Sequence, residues 1–190
     1  MTESTHRWLL GGGIGCGKST VRVLLEGFGV NTIDSDAIGH DVLEPDGPAF
    51  SEVAGTWPDA LRDGRIDRSV LAGIVFSDPV QLATLESLTH PHIFGRITSM
   101  LQGIGGPVVV EIPLLHKAPP GEWRRLVVDC DDQARLQRLV DHGMTGDQAH
   151  ARMKNQPSRA EWLALADLVV PNHGDLPELE GAVSAILTHL

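Results

Sequence analysis

Short apolar runs alternate along this chain with longer stretches of helical periodicity, a pattern typical of an α/β fold. Five runs have the length and composition of β-strands; they are residues 6–10, 30–34, 107–112, 125–130 and 168–170. The middle runs are almost continuously apolar, as strands buried on both faces of a sheet are. We therefore predict a five-stranded parallel sheet, with ligands bound at the carboxyl ends of its strands.

Helical periodicity follows the first run. Val21, Leu24, Leu25 and Phe28 recur at the spacing of one helix face, which predicts an amphipathic helix packed on the sheet. Residues 37–106 contain no good strand pattern, and this interval is too long for a simple crossover. We expect an inserted helical subdomain there, able to receive a second substrate.

Two helix starts stand out inside this insertion. Asp67 and Asp78 are suited to cap helices, and Pro79 after the second suits a first turn. Together with the strands, these signals divide one domain of 190 residues into three parts. We predict a core of residues 1–35, 107–130 and 160–190, a helical acceptor subdomain at about 36–106, and a lid at about 131–158.

The turn after the first strand carries the clearest chemical signal. Residues 12–19, GGIGCGKS, fit the phosphate-binding pattern G-x-x-x-x-G-K-[ST] between a strand and a helix. In that geometry backbone N–H groups and the positive end of the helix dipole converge on phosphate oxygens. Lys18 is expected to reach the β- and γ-phosphates, and Ser19 to bind Mg²⁺.

Acidic residues end two further strands. Asp34 and Asp36 follow the second run, and Glu111 closes the third. On an extended segment Asp34 and Asp36 would point to the same side, so both could face the cleft. We favour Asp36 as the base for a hydroxyl acceptor and Asp34 as its support. The alternative is that one of the pair caps a helix beginning near Ala37.

Glu111 and His90 each leave two interpretations open. Glu111 lies where such proteins often hold a carboxylate of the metal shell, and a structural role is nearly as well supported. His90 would donate a hydrogen bond to an acceptor phosphate, or it is a satisfied histidine at a helix end. A metal site at His90 and His92 is disfavoured because no third ligand has suitable spacing.

Residues 131–158 combine a polar composition with basic side chains. The basic residues in and beside this stretch are Arg135, Arg138, Arg152, Lys154 and Arg159. A basic helix pair over a phosphate loop would screen the transferring phosphate, so we interpret the stretch as a lid. An ordinary solvated helix pair is the alternative.

Composition narrows the class of ligand. The formal net charge of −10 disfavours nucleic acid and membrane surfaces, but leaves a small anionic ligand possible in a locally positive cleft. Cys16 and Cys130 form no disulfide framework or metal pattern. The start has no signal-peptide pattern, and no apolar run has the length of a membrane span. We expect a cytoplasmic protein, whose oligomeric state the sequence leaves open.

Several motifs occur in a characteristic order along nearly the whole chain. They are GGIGCGKST at 12–20, IDSDAI at 33–38, VLEPDGPAF at 42–50, LTHPHI at 88–93, EIPLLHK at 111–117 and ADLVVPNHG at 166–174. In this order they resemble the dephospho-CoA kinase family. The resemblance implies a P-loop kinase core with a helical acceptor subdomain and a lid. It also implies that ATP, with Mg²⁺, phosphorylates the ribose 3′-hydroxyl of dephospho-CoA.

The resemblance assigns roles to individual positions. The implied ATP-binding residues are Gly13, Ile14, Gly15, Cys16, Gly17, Lys18, Ser19, Thr20, Arg138 and Asn172, with Gly12 completing the loop motif. The implied acceptor-binding residues are Asp34, Asp36, His90, Pro113 and Leu114. We assign catalysis to Lys18, Asp36 and Arg138, and the metal to Ser19 and Glu111.

The chain departs from the family pattern in its lid. A second basic residue usually follows the first lid arginine, where Asp141 and His142 stand here, and Trp162 stands near another usual basic position. One alternative is another small P-loop kinase acting on a nucleoside, nucleotide or sugar acid. A second is a non-catalytic paralogue that binds ATP or CoA species. Cys16 also departs, and is either a reactive thiolate or a small residue that merely fits the loop.

Overall fold

A computed structural model describes residues 7–113 and 117–190 and shows a five-stranded parallel sheet in the order β2-β5-β1-β6-β7. The sheet strands are β1 (Arg7–Gly11), β2 (Asn31–Asp34), β5 (Val108–Glu111), β6 (Arg124–Asp129) and β7 (Leu168–Pro171). Each of the five predicted strands corresponds to one strand of this sheet. The predicted α/β class with a parallel sheet is therefore confirmed.

Helices connect and cover these strands. Within the described residues the α-helices are α1 (Lys18–Gly27), α2 (Ser35–Asp41), α3 (Phe50–Thr56), α4 (Arg68–Val75), α5 (Pro79–Leu101), α6 (Asp132–Asp141), α7 (Gly146–Lys154), α8 (Arg159–Ala164) and α9 (Leu176–Ile186). Short 3-10 turns at Pro58–Ala60 and Leu187–His189 complete them. In the described parts of the chain, no helix combines the length and apolar character needed to cross a membrane.

The core beneath the phosphate loop joins α1 to the sheet. Val21 and Leu25 are fully buried against strand residues such as Trp8 and Leu126. Leu24 packs at the margin of this cluster. The expectation that Phe28 belongs to this packed helix face is wrong. Helix α1 ends at Gly27, and the Phe28 side chain is 46% exposed.

The chain divides into two compact units. The first, which we call the sheet unit, runs to Asp34 and resumes from Ile104 to Leu190. The second, the helical unit, comprises Ser35–Gly103. The acceptor and lid roles that we expect for segments of these units remain predictions.

The helical unit confirms both predicted caps. The Asp67 carboxylate accepts hydrogen bonds from the first turn of α4, and the Asp78 carboxylate accepts one from Val80 at the start of α5. The expectation of no strand in this interval is wrong, because β3 (Leu61–Arg62) and β4 (Arg65–Ile66) form a short antiparallel hairpin. Its turn, Asp63-Gly64, has positive φ at both residues, and Asp-Gly is a favoured pair for such turns.

Candidate active site

The carboxyl ends of the parallel strands bring the predicted polar residues to one edge of the sheet unit. Glu111 lies in register with Asp34 on one side and with Leu10 on the other. The phosphate loop begins directly after β1, and Asp129 ends β6 on the far side. The sequence predicts that the loop, Asp34 with Asp36, and Glu111 reach one sheet edge; this is confirmed for the loop, Asp34 and Glu111, whereas Asp36 lies in α2.

Glycine is required at two positions where the loop turns. Gly15 and Gly17 have φ of +79° and +88°, values that side chains resist. A Cβ on Gly15 would lie 2.9 Å from the Arg135 carbonyl oxygen, and one on Gly17 would lie 2.5 Å from Asn172 Nδ2. Gly17 precedes the first turn of α1, where backbone N–H groups and the helix dipole favour an anion. The local geometry therefore suits phosphate.

Lys18 and Thr20 complete this end of the loop. The Lys18 ammonium group folds back over the loop and donates to the Gly12 carbonyl oxygen at 3.0 Å. Thr20 is exposed in the first turn of α1. Lys18 thus lies beside the backbone groups expected to hold phosphate.

A chain of polar contacts joins the loop to the acidic strand ends. Ser19 Oγ donates to Glu111 Oε1 at 3.0 Å, and Arg22 Nε donates to Glu111 Oε2 at 3.0 Å. Arg22 Nη2 also lies 3.5 Å from Asp34 Oδ2. Glu111 is almost fully buried, so Arg22 compensates a carboxylate that has little access to water.

Sequence reasoning missed Arg22. It follows Ser19 by three residues, which places it on the same helix face one turn later. That spacing was the available signal. An arginine there can reach the neighbouring strand ends, and the pattern of charges alone does not reveal which carboxylates it meets.

Asp36 is not on an extended segment. Strand β2 ends at Asp34 and α2 begins at Ser35, so Asp36 lies in the first turn of a helix. The alternation argument that put Asp34 and Asp36 on one side is therefore wrong. The expectation of a helix beginning near Ala37 is also displaced, by two residues. Asp36 belongs to the helical unit and Asp34 to the sheet unit.

Arg138, the predicted lid arginine, lies beside the phosphate loop. Arg138 Nη2 donates to both the backbone oxygen and Oδ1 of Asn172, each at 3.2 Å, and its Nη1 donates to Cys130 Sγ at 3.2 Å. Asn172 in turn donates from Nδ2 to the Cys16 carbonyl oxygen at 2.8 Å. Asn172 is buried, and both ends of its side chain are engaged by the protein.

Two further side chains from the lid segment hold the loop. Arg135 Nε donates to the Ile14 carbonyl oxygen at 3.0 Å, and the Ile14 N–H donates to Gln156 Oε1 at 2.7 Å. The Arg135 guanidinium fills the space beside Gly13, where a Cβ would lie 2.4 Å from Nη2. Sequence reasoning counted Arg135 only as one of several basic lid residues.

The two cysteines lie together beneath the loop. Both are free and buried. The hydrogen bond from Cys130 lowers the pKa of the Cys16 thiol to about 7, with help from the charges of Arg135 and Lys18 and against the effect of burial. The same hydrogen bond and burial raise the pKa of Cys130. Cys16 is only 3% exposed and Cys130 only 1% exposed.

A second ion pair ties the segment after the lid to β6. Arg159 meets both carboxylate oxygens of Asp129, at 2.6 and 2.7 Å. This contact, together with His173, holds the pKa of Asp129 below its ordinary value despite partial burial. The end of β6 is thereby fixed beside α8.

Three predicted acceptor residues remain: His90, Pro113 and Leu114. His90 is half-buried in the middle of α5, with its ring centroid 5.1 Å from that of Phe94. The alternative of a helix-end histidine is therefore wrong, because α5 continues to Leu101. Pro113 is exposed after β5, and Leu114 lies outside the described residues.

The oxygen ligands available for a cation are few. Among the residues that the structure describes, no three His, Cys, Asp or Glu side chains cluster as a metal site. The Ser19 hydroxyl and the Glu111 carboxylate, 3.0 Å apart, are hard oxygen donors of the kind Mg²⁺ prefers. Magnesium commonly takes one or two protein oxygens together with substrate phosphates, so this pair fits the ion.

A parallel sheet whose first strand leads through a glycine-rich loop into a helix, with a hydroxyl and a carboxylate beside it, defines a P-loop kinase core. The family model described as Dephospho-CoA kinase matches residues 9–178. A curated dephospho-CoA kinase from Streptomyces avermitilis is 40% identical over 190 residues, covering 95% of this chain and 93% of the relative. The chain belongs to the dephospho-CoA kinase family.

Solved structures agree on the fold. The Thermus thermophilus protein TT1252 has a TM-score of 0.85 and 34% identity, covering 98% of this chain and 99% of its own. Dephospho-CoA kinase from Campylobacter jejuni has a TM-score of 0.69 and 24% identity over 96% of each chain. At that identity the second likeness concerns the fold alone.

Proposed function

We propose that this chain transfers the γ-phosphoryl group of ATP to the ribose 3′-hydroxyl of dephospho-CoA, giving coenzyme A and ADP. The observation that carries the proposal is the bonding of Ser19 in the phosphate loop to Glu111 at the adjoining strand end, in a member of this family. Phosphoryl transfer needs positioning and positive charge more than covalent chemistry, and the loop edge supplies both.

Charge on the phosphates is met from two sides. The N–H groups of the loop and of the first turn of α1 donate hydrogen bonds to the phosphate oxygens, and Lys18 adds a point charge. Arg138 is held beside Gly17, with Nη1 4.0 Å from the position of a Cβ there. We assign to Arg138 the role of stabilising the negative charge that develops on the phosphoryl group in the transition state.

Magnesium fits the hydroxyl and carboxylate pair. Ser19 and Glu111 would hold the ion, which when bound neutralises phosphate charge. Glu111 already shares its second oxygen with Arg22. Arg22 therefore orients Glu111 so that Oε1 faces Ser19.

Acceptor activation falls to Asp36. Asp34 Oδ2 lies 3.5 Å from Arg22 Nη2, and a carboxylate held in this ion pair suits a supporting role. We assign Asp36 as the base and Asp34 as a supporting carboxylate.

We assign acceptor binding to residues 36–106 with His90, and to Pro113 and Leu114, and we assign the lid to residues 131–158. Two free thiols suit a reducing compartment such as the cytoplasm.

ADP release against a panel of acceptors tests the proposal. The panel contains dephospho-CoA, adenosine, AMP, shikimate and gluconate, and Lys18→Ala serves as the inactive control. Release with dephospho-CoA that exceeds every other acceptor is expected. Faster ADP release with a nucleoside, nucleotide or sugar acid would show that this molecule is the acceptor. If no acceptor gives ADP release, the chain is better explained as a nucleotide-binding paralogue.

A further inference from the structure

Both backbone polar groups of Ile14, in the phosphate loop, are hydrogen-bonded to side chains of the predicted lid segment. Ile14 gives its N–H to Gln156 at 2.7 Å and its carbonyl oxygen accepts from Arg135 at 3.0 Å. Arg135 is on α6, and Gln156 lies two residues past the end of α7. Helix α6 and the segment after α7 thus meet the loop at a single residue.

Arg135 is buried where it contacts the loop, which is unusual for an arginine side chain. Its side chain is only 3% exposed, and Asp132 is its carboxylate partner at 2.8 Å. Within the part of the chain that the structure describes, its buried Nη2 has no hydrogen-bond partner. A buried guanidinium with a spare donor is costly, so the contacts that it makes to the loop have to offset that cost.

The same helix carries the lid arginine. Arg138 follows Arg135 by three residues, so the two side chains lie on neighbouring positions of one helix face. Arg138 reaches Asn172 and Cys130, whereas Arg135 reaches the loop itself. Fixing α6 at Arg135 therefore fixes the distance at which Arg138 stands from the loop.

We propose that Arg135 and Gln156 are positioning residues that clamp the backbone of Ile14, so that the loop keeps its phosphate-binding shape and Arg138 keeps its place beside it. Neither side chain touches the reacting atoms. The kinetic part of this inference rests on the proposed function, whereas the clamp itself is a property of the folded chain.

Matched variants separate the clamp from general packing. Gln156→Leu removes the acceptor for the Ile14 N–H at similar size, and Gln156→Glu keeps an acceptor oxygen. Arg135→Met removes all the guanidinium donors, and Arg135→Lys keeps the charge without the planar guanidinium geometry. Gln133→Leu and Gln137→Leu alter exposed side chains of α6 and serve as controls.

Hydrogen exchange at the Ile14 amide tests the clamp without any reaction. Exchange should accelerate roughly tenfold or more in Gln156→Leu, remain near wild type in Gln156→Glu, and be unchanged in the controls, since a lost hydrogen bond opens the amide. ADP affinity should fall roughly threefold to tenfold in Gln156→Leu, because the loop is less preorganised. Unchanged exchange at Ile14 in a folded Gln156→Leu protein would overturn the clamp.

Kinetics test its consequence for catalysis. We expect kcat to fall roughly 10-fold to 100-fold in Arg135→Met, more than the KM for ATP rises, since misplacement of about 1 Å is costly. Arg135→Lys should not restore kcat; recovery by lysine would show that charge alone matters and would overturn positioning. The double variant Arg135→Met/Gln156→Leu should lower kcat by less than the product of the single effects, because both side chains act through the backbone of one residue.

The two proposals fail separately. If the wild-type protein does not phosphorylate dephospho-CoA but Ile14 exchange and ADP affinity respond as expected, the proposed function is wrong and the clamp stands. If turnover is normal and Gln156→Leu leaves both exchange and kcat unchanged, the clamp is wrong and the function stands. Should Arg135→Met fail to fold, the pair Gln156→Leu and Gln156→Glu decides the question.

Discussion

Replacing Asn172 by alanine should destabilise the sheet unit. The Asn172 side chain is the donor to the Cys16 carbonyl oxygen in a buried contact of 2.8 Å, and its Oδ1 is one of two oxygens that meet Arg138. Loss of the amide leaves a buried carbonyl unsatisfied, at a cost of about 1–3 kcal/mol. Arg138 loses its hydrogen bond to Oδ1 but keeps the one to the backbone oxygen of residue 172 at 3.2 Å, so this second contribution is smaller, about 1 kcal/mol.

Together these terms lower the free energy of unfolding by about 2–4 kcal/mol. Urea unfolding followed by tryptophan fluorescence measures this change, since Trp8 and Trp162 are buried in the sheet unit. Asn155→Ala is the matched control, because that side chain is exposed, and should stay within about 0.5 kcal/mol of wild type.

Asn172→Asp separates the two contacts. The substitution keeps an acceptor for Arg138 but places a carboxylate oxygen against the Cys16 carbonyl oxygen. Because two acceptors then face each other, this variant should also be less stable than wild type. The resemblance to the family implies instead that Asn172 contacts ATP. Wild-type stability in Asn172→Ala, together with a raised KM for ATP, would refute the structural reasoning and support that role.

Four further outcomes follow from the site. Lys18→Ala should lower kcat by roughly 10²–10³ with the fold intact by circular dichroism, since a charge on the transferring phosphate is lost. Asp36→Asn should lower kcat by roughly 10²–10⁴ and leave ATP affinity unchanged in calorimetry; a larger loss in Asp34→Asn would reverse their roles. Arg138→Ala should lower kcat more than it raises the KM for ATP in steady-state kinetics; an unchanged kcat would mean that another lid arginine acts. Alkylation of Cys16, mapped by mass spectrometry, should rise with pH through about 7 as the thiolate forms, and Mg-ATP should protect it; a rate independent of pH would contradict the lowered pKa.

The sheet edge could be predicted because its signals are local. The loop motif identifies itself, and a buried parallel strand places its last residue at the same edge as its neighbours, so Asp34 and Glu111 followed from pattern alone. The caps at Asp67 and Asp78 are local in the same sense, since each depends on the next few residues.

Contacts between distant segments could not be predicted. The bonds from Arg135 and Gln156 to Ile14 span 121 and 142 residues, and no periodicity encodes which buried guanidinium meets which carbonyl. The helix at Asp36 was missed because strand alternation was extended two residues past the strand. The hairpin around Asp63-Gly64 had a signal in its turn, but its strands are only two residues long.

The position of the transferred phosphate is the most direct measurement of the proposed reaction. Wild-type protein, ATP, magnesium and dephospho-CoA are incubated, and the product is examined by mass spectrometry and phosphorus NMR, with Lys18→Ala as the control. The account predicts a single added phosphoryl group, appearing as a phosphomonoester on the ribose 3′-oxygen, in step with ADP. Unchanged dephospho-CoA, or a phosphate at any other position, would contradict it.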